Sequence, residues 1–410
     1  TSQVNTHVFC DAALTPLAPA LTWQDTRPGR VAGALDDCLD HAARIAALGA
    51  PIPIDASHAL SRIAWMADGA PAIWAATRHV LLPKDWVIAR LTGAIVSDPL
   101  SAIGLAGNDL CYADTVLALM SGAVEVLPPL CDPLAVAGQI TDGPFKGVPV
   151  AAGTMDALTA MVGLGVTGEG QAMYLSGTSE VLGLISTTCT AEPGVIVFPR
   201  WRGITVHAGP TQSGGAARDW IAGILAADHA RMEALAAQTS VTSDSPLFLP
   251  HLDGERAPLW TTSSRAAFAG LSGASGPGEM VASVLEGVAF SARLALEAVE
   301  RSGKCVAPVL RHGGGGARSD AWCRIRANAL GRPLARVAVT DAGAMGALAM
   351  GGVACGSFRD LGAATQDLVP IEQVFEPDSA YASIANARFS QFCELYKATA
   401  PISAALLNGS

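Results

Sequence analysis

The second half of the chain reads as an α/β sheet covered by helices. Three observations lead there. Apolar strand-like runs alternate with helical patterns from residue 148 onward. The 410-residue length allows two or three domains. Hydrophobic residues make up 50% and charged residues only 15%, a composition that folds around large cores and argues against disorder.

In chain order, VNTHVFC (4–10) and APALTWQ (18–24) read as two strands with TPL in the turn between them. Residues 29–48 read as one helix, with Val31, Leu35, Leu39, Ala42, Ile45 and Ala46 on one face. Further helices are expected at 57–67 and 83–92, and mostly loop over 94–147. The apolar run 148–166 is broken by Gly153, Thr154 and Asp156, so it reads as strand 148–152, a turn and helix 157–164 rather than a membrane span. Strands 171–176 and 181–186 flank SGTSE as a hairpin. Strands at 194–199 and 204–208 precede a helix at 215–226. In helix 278–301, Val281, Val284, Leu285, Val288, Ala292, Ala295 and Val299 recur at three- and four-residue spacing, one buried face. Strand 307–311 runs into GGGG (313–316) and a helix over 318–330. Strand 333–339, a small-residue helix at 343–353 and a last helix at 379–397 follow.

Net charge is −10 and no Lys/Arg run occurs, which argues against nucleic acid as a partner. Nine scattered cysteines without a CxxC pair read as reduced thiols of a cytoplasmic protein. The eight histidines show no zinc spacing, so no metal-ligating residues are assigned.

Several short motifs have both a chemical and a structural reading. GGGG, between a strand and a helix, suits close approach to a phosphate or a base, or is a tight turn. SGTSE can offer N–H and hydroxyl donors to phosphate, or is an ordinary hairpin turn. Asp156 is a lone carboxylate in an apolar run, either a helix cap or a general base. Trp23 with Gln24, Asp25 and Arg27 suits a sugar's C–H face and hydroxyls, or belongs to a core. GERAP (254–258) reads alone as a salt-bridged loop.

Taken in order, these pieces resemble the FGGY family of carbohydrate kinases over nearly the whole chain. TSQVNTHVF (1–9) with PALTWQDTR (19–27) resembles the family's substrate hairpin. VLLPKDWVIARLTG (80–93) with SDPLSAIG (97–104), VAAGTMDALTAMVGLG (150–165) and SGTSE (176–180) are similar to successive family segments. So are SGGAARDW (213–220), FLPHLDGERAPLW (248–260), AGLSGASGPGEMVASVLEGVAF (269–290) and GGGARSDAWCRIRANALGRPL (314–334).

The resemblance implies two actin- and hexokinase-like (ribonuclease H-like) α/β domains with a cleft between them: a sugar domain over 1–167 and a nucleotide domain over 168–410, the last helix packing back toward the first. It implies ATP and Mg²⁺, the latter held mostly through phosphate and water, and a small sugar or polyol as acceptor, a ketopentose such as xylulose or a related polyol. Asp156 would accept the hydroxyl proton. Gln3, Asn5, His7, Trp23 and Asp25 would contact the sugar. Gly177 and Thr178 would hold phosphate, and Gly214, Gly215, Gly316, Ala317 and Asp320 would line the nucleotide. No membrane partner is expected, and a homodimer is allowed.

Glycerol kinases carry Arg-Glu, and xylulokinases Met-His, where this chain has Val4-Asn5, so the acceptor stays open. The family's D-x-G-T strand and turn is not found ahead of TSQVNTH. The first domain is therefore expected to be incomplete at its start and the chain as it stands to be inactive or nearly so. A non-catalytic sugar or nucleotide sensor or scaffold is the other reading.

Overall fold

The structure, a computed structural model, describes residues 1–190 and 192–408. The chain forms two compact units. The first comprises Thr1–Gly165, Val197–Thr205 and Asp341–Leu368; the second comprises Val166–Ile196, Val206–Thr340 and Val369–Ser410, its last described residue being 408. The first crossing, at Gly165, lies close to the expected boundary. Two later segments, 197–205 and 341–368, cluster with the first unit, which a single cut at 167 does not anticipate.

In the first unit, strand Val8–Cys10 pairs antiparallel with His79–Leu81, a strand too short for the sequence pattern to reveal. The opening hairpin is held by His7 and Leu21, which exchange backbone N–H···O bonds of 3.0 Å in both directions. The single helix expected over 29–48 is two, Gly29–Asp36 and His41–Leu48. The break has a cause: the Asp40 carboxylate caps the second helix by accepting from the Ala43 N–H, so Asp40 takes an extended backbone. Phe9, Leu60, Ile63, Val80 and Val116 are central to a core that draws on both helices, the hairpin and helix Ala59–Gly69. The apolar run 148–166 is strand Pro149–Ala151, a turn and helix Asp156–Gly163. Among the described residues no helix is long and apolar enough to cross a membrane.

Helix Asp156–Gly163 packs backbone to backbone on helix Ala342–Ala354 of the same unit. A Cβ on Gly346 would lie 1.8 Å from the Thr159 carbonyl oxygen, and one on Gly163 equally close to that of Ala342. Only glycine fits at either position, which explains the run of small residues in AGAMGALAMGG.

The second unit is built on a seven-stranded mixed sheet. Its strand order is Ile371–Phe375, Leu334–Val337, Leu310–Gly313, Ala172–Ser176, Glu180–Ser186, Thr205–Pro210, Ile196–Val197. Leu310–Gly313 runs parallel to both its neighbours. Ala172–Ser176 and Glu180–Ser186 form the expected antiparallel hairpin, Ser176 opposite Glu180. Helix Pro277–Gly303 buries every residue of the apolar face read from its spacing. Ala292, Ala295, Leu296 and Val299 pack on sheet residues Ala172, Leu182, Leu184 and Leu310.

The final helix, Ala382–Asn408, packs on residues of the second unit. Phe392 is buried against Leu249, Phe290 and Ala329. Arg388 donates to both oxygens of the Glu286 carboxylate and to the Ser245 and Pro246 carbonyls. A last helix judged from its apolar residues alone hides this anchor, because the anchor is an ion pair.

Candidate active site

Asp156 is the first residue of its helix, and Met155 is the extended N-cap. Gly153 turns the chain into it with φ of +64°. One Asp156 carboxylate oxygen accepts from the Ala157 N–H at 2.7 Å. The side chain reaches solvent, yet the protein around it desolvates the carboxyl enough to raise its pKa above the ordinary aspartate value, against the opposing pull of the Ala157 N–H. Asp156 is therefore not the N-cap of a helix starting at Ala157 but the first helical residue, whose carboxylate accepts from the next N–H and has a raised pKa.

The turn that carries it is tied to a buried charge cluster. The Thr154 hydroxyl donates to Asp98 at 2.8 Å and lies 3.3 Å from the Ser101 hydroxyl. Asp98 also accepts from the N–H groups of Leu100 and Ser101. Lys84 bridges Asp85 at 2.6 Å and Asp98 at 2.9 Å, and all three are almost wholly buried. The sequence reading assigned none of these three. Lys and Asp adjacent in an apolar stretch, at the start of helix Pro83–Thr92, were the available signal.

Five sugar-contact candidates were expected, and the structure brings two of them into one pocket. Asn5 and His7 line it together with Asp85, Ser97, Ser101 and Tyr112. His7 is buried beside the Arg62 guanidinium, and burial, reinforced by Arg62, pushes its pKa down to about 3, so it is neutral. The Asn5 amide donates to the Ser57 hydroxyl at 3.0 Å. Arg62 itself, unassigned from sequence, pins the hairpin by donating to the carbonyls of Asn5, Leu21 and Thr22. Gln3, Trp23 and Asp25 do not line this pocket. Trp23 is half exposed and so is not a core residue. Asp25 is already engaged by Arg27, whose side-chain hydrogen bonds hold the Asp25 carboxyl below its ordinary pKa.

In the second unit, three glycine-containing turns meet. The Gly215 N–H donates to the Gly177 carbonyl at 2.9 Å, and the Ala216 N–H to that of Thr178 at 3.0 Å. A Cβ on Gly214 would lie 2.6 Å from the Ser179 Cα. Gly314, at φ of +90°, and Gly316 press on Ser176 from the other side. The glycines were expected to clear space for a nucleotide. At Gly214, Gly215 and Gly316 the space is taken by the protein's own backbone and by Ser176, so the glycines let the turns pack on each other. The Gly177 N–H, expected to hold phosphate, is spent on the Ser179 carbonyl at 2.9 Å. Thr178 is exposed at the tip, and none of the hydrogen bonds described involves its hydroxyl or its N–H.

Beneath the turns lies a buried ion pair that the sequence reading missed. Arg326 donates to Glu180 and to the Ser176 hydroxyl, at 2.5 and 2.6 Å, and to the Gly316 carbonyl at 2.8 Å. Its guanidinium stacks on Trp322, 3.6 Å from the ring centroid, and it binds the Tyr174 hydroxyl. One side chain therefore links the SGTSE turn to the GGGG turn. The signal was an arginine on the apolar stripe Trp322, Cys323, Ala327, Leu330, where a charge demands a buried partner. Ala317 and Asp320 are occupied too: Arg336 donates to the Ala317 carbonyl at 3.1 Å and to the Asp320 carboxylate at 2.7 Å.

Both domain models of one protein family match the chain. Residues 1–163 match the N-terminal domain of the FGGY family of carbohydrate kinases, and residues 172–355 match the C-terminal domain. A xylulose kinase of Streptomyces coelicolor is 33% identical over 352 residues, 83% of this chain and 71% of that protein. A xylulose kinase of Escherichia coli K12 is 28% identical over 419 residues, 98% of this chain and 84% of the relative. The crystal structure of a protein from Brucella ovis, described as a xyloylose kinase, superposes with a TM-score of 0.88 at 27% identity, covering 98% of this chain and 83% of the other. With both family domains present in order, in the two-domain actin- and hexokinase-like fold of its structural neighbours, the chain belongs to the FGGY family of carbohydrate kinases.

Proposed function

We propose that this sugar kinase transfers the γ-phosphoryl group of ATP to a hydroxyl of D-xylulose, with Asp156 as the base. The observation that carries the chemistry is Asp156 itself: a solvent-reaching carboxylate of raised pKa, on a turn fixed by the Thr154–Asp98–Lys84 chain. A base closer in pKa to neutrality accepts a hydroxyl proton more readily as phosphoryl transfer proceeds. Xylulose is preferred over other acceptors because the relatives of highest identity described above are xylulose kinases.

Phosphoryl transfer needs positioning and charge stabilisation more than covalent chemistry. In this reading the pocket bearing Asn5 and His7 holds polyol hydroxyls, and Trp23 offers an apolar face. Neutral His7 serves as a hydrogen-bonding group rather than a charge. Thr178, with its free hydroxyl and N–H, contacts phosphate at the tip of the SGTSE turn, while Gly214, Gly215 and Gly316 act indirectly by setting its shape. Mg²⁺ enters with the nucleotide as part of the substrate, held by phosphate oxygens and water.

The test is product identification. The protein is incubated with MgATP and, separately, D-xylulose, glycerol or gluconate, and phosphorus NMR reads the phosphate ester formed. A xylulose phosphate is the expected product. An ester of another acceptor alone would move the assignment within the family. In a protein that carries the family's D-x-G-T strand and turn, nucleotide binding with no ester from any acceptor would favour the sensor reading.

A further inference from the structure

Arg256, in the GERAP loop, has a different surrounding from the other inward-facing arginines. Arg326 and Arg388 each pair with a buried carboxylate, Glu180 and Glu286. Arg62 spends its donors on the carbonyls of Asn5, Leu21, Thr22 and Ala56. Arg256 donates from Nη2 to the Ser179 hydroxyl at 3.0 Å and to the Thr211 carbonyl at 2.5 Å. Its Nε is buried without an acceptor, and no hydrogen bond from its Nη1 is found among the described residues. The neighbouring Glu255 acts on it only through space and makes no ion pair with it among the described residues: its carboxylate accepts from the Ser213 hydroxyl at 2.7 Å and from the N–H groups of Gln212, Ser213 and Arg256.

A partly desolvated guanidinium whose only hydrogen-bond acceptors are neutral oxygens is costly unless an anion completes it. It lies against Ser179, the residue after Thr178, on the turn whose Gly177 N–H is already spent on the Ser179 carbonyl. Backbone donors alone therefore leave little to balance a polyphosphate on a chain whose net charge is −10. We infer that Arg256 is the cation that neutralises the phosphates of the bound nucleotide at the Thr178 turn. This rests on the nucleotide site proposed above. Arg256 adds affinity in proportion to the charge of the phosphate chain, through its unbonded Nη1 and through space, and its hold on Ser179 fixes the turn at the same time.

A staple without an electrostatic role would act on the turn alone, and a nucleotide series separates the two. The variants are Arg256→Gln, which keeps a donor for Ser179 and Thr211 but loses the charge, and Arg256→Lys, which keeps the charge but loses the fork. Calorimetry on the full chain gives affinities for adenosine, ADP and ATP. In Arg256→Gln, ATP and ADP should weaken about tenfold or more, the scale of a charge-assisted contact, with adenosine unchanged within about twofold. In Arg256→Lys most of the ATP affinity should return. Equal weakening of all three ligands in the Gln variant, or no weakening of any, overturns the inference while leaving the nucleotide site in place. A parent protein that binds neither ATP nor ADP overturns the site and the inference together. Should Gln not fold, the Lys variant decides: a preserved gain from adenosine to ATP supports the inference, and a flat series overturns it.

Discussion

The two candidate site regions are built by opposite means. In the first unit the chemistry is presented by side chains, with Asp156 at a helix start and a buried Lys84–Asp85–Asp98 cluster holding the turn before it. In the second unit three turns are laid against each other backbone to backbone, and the neutral pair Glu180–Arg326 clamps them from beneath. A site made of side chains tolerates no change in the group itself but some change in its support. A site made of backbone fails when the packing between its turns fails, wherever the substitution falls.

The largest effect is expected where the first unit also depends on backbone contact. Gly346→Val would drive a side chain into the Thr159 carbonyl, 1.8 Å from where its Cβ must sit, and displace the helix that begins at Asp156. A cost above about 4 kcal/mol is expected, with an early first transition in a thermal scan. A Val variant that melts like the parent would break the claim that these helices touch at their backbones.

Next in size is the clamp of the second unit. Arg326→Leu leaves the buried Glu180 carboxylate without a counter-charge, held only by the Tyr174 and Ser176 hydroxyls, and should destabilise by about 3–5 kcal/mol. The double variant Arg326→Leu with Glu180→Leu should recover much of that stability, since apolar replacement of a buried pair is often neutral. It should not recover nucleotide affinity, because Gly316 and Ser176 no longer share a donor. Recovery of both in calorimetry would reduce the clamp to a matter of stability, and the contrast between the units would weaken.

Thr154→Val is the mildest of the three. It removes one hydrogen bond to the buried Asp98 carboxylate, worth about 1.5–3 kcal/mol. Turnover should fall about tenfold with nucleotide affinity unchanged. A matching loss in nucleotide affinity would show that the damage is general.

The same contrast governs what could be read from the sequence. Asp156, the SGTSE turn and GGGG were legible because they are local motifs in a fixed order. The buried face of helix Pro277–Gly303 was legible from its period. The reason for the glycines was not, because their neighbours lie far off in sequence: Gly214 meets Ser179, and Gly316 meets Ser176 and Arg326. Short strands such as His79–Leu81 and Val136–Gln139 carry too few residues for a period to show, whereas Pro149–Ala151, the partner of the latter, was read from its apolar run. The supporting charges Lys84, Asp98, Glu180 and Arg326 follow no pattern until the fold brings them together. The hints were the adjacent Lys84 and Asp85 in an apolar stretch and the arginine on an apolar stripe.

The central claim is that Asp156 is a base and not merely the first residue of its helix. Asp156→Asn tests it most directly, measured as xylulose-dependent ADP release alongside calorimetric affinities for sugar and nucleotide. The side-chain oxygen of Asn can still accept from the Ala157 N–H, so the helix end survives. Turnover should drop about 10²–10⁴-fold, with both affinities within about threefold of the parent. The parent's rate should also fall on acidification through the Asp156 pKa, at a pH above the ordinary aspartate value of about 3.9, because the unprotonated form is the base and burial raises that pKa. The Asn variant should lack this acid limb. An Asn variant that turns over like the parent, with the same acid limb, would contradict the account and leave Asp156 as only the first residue of its helix.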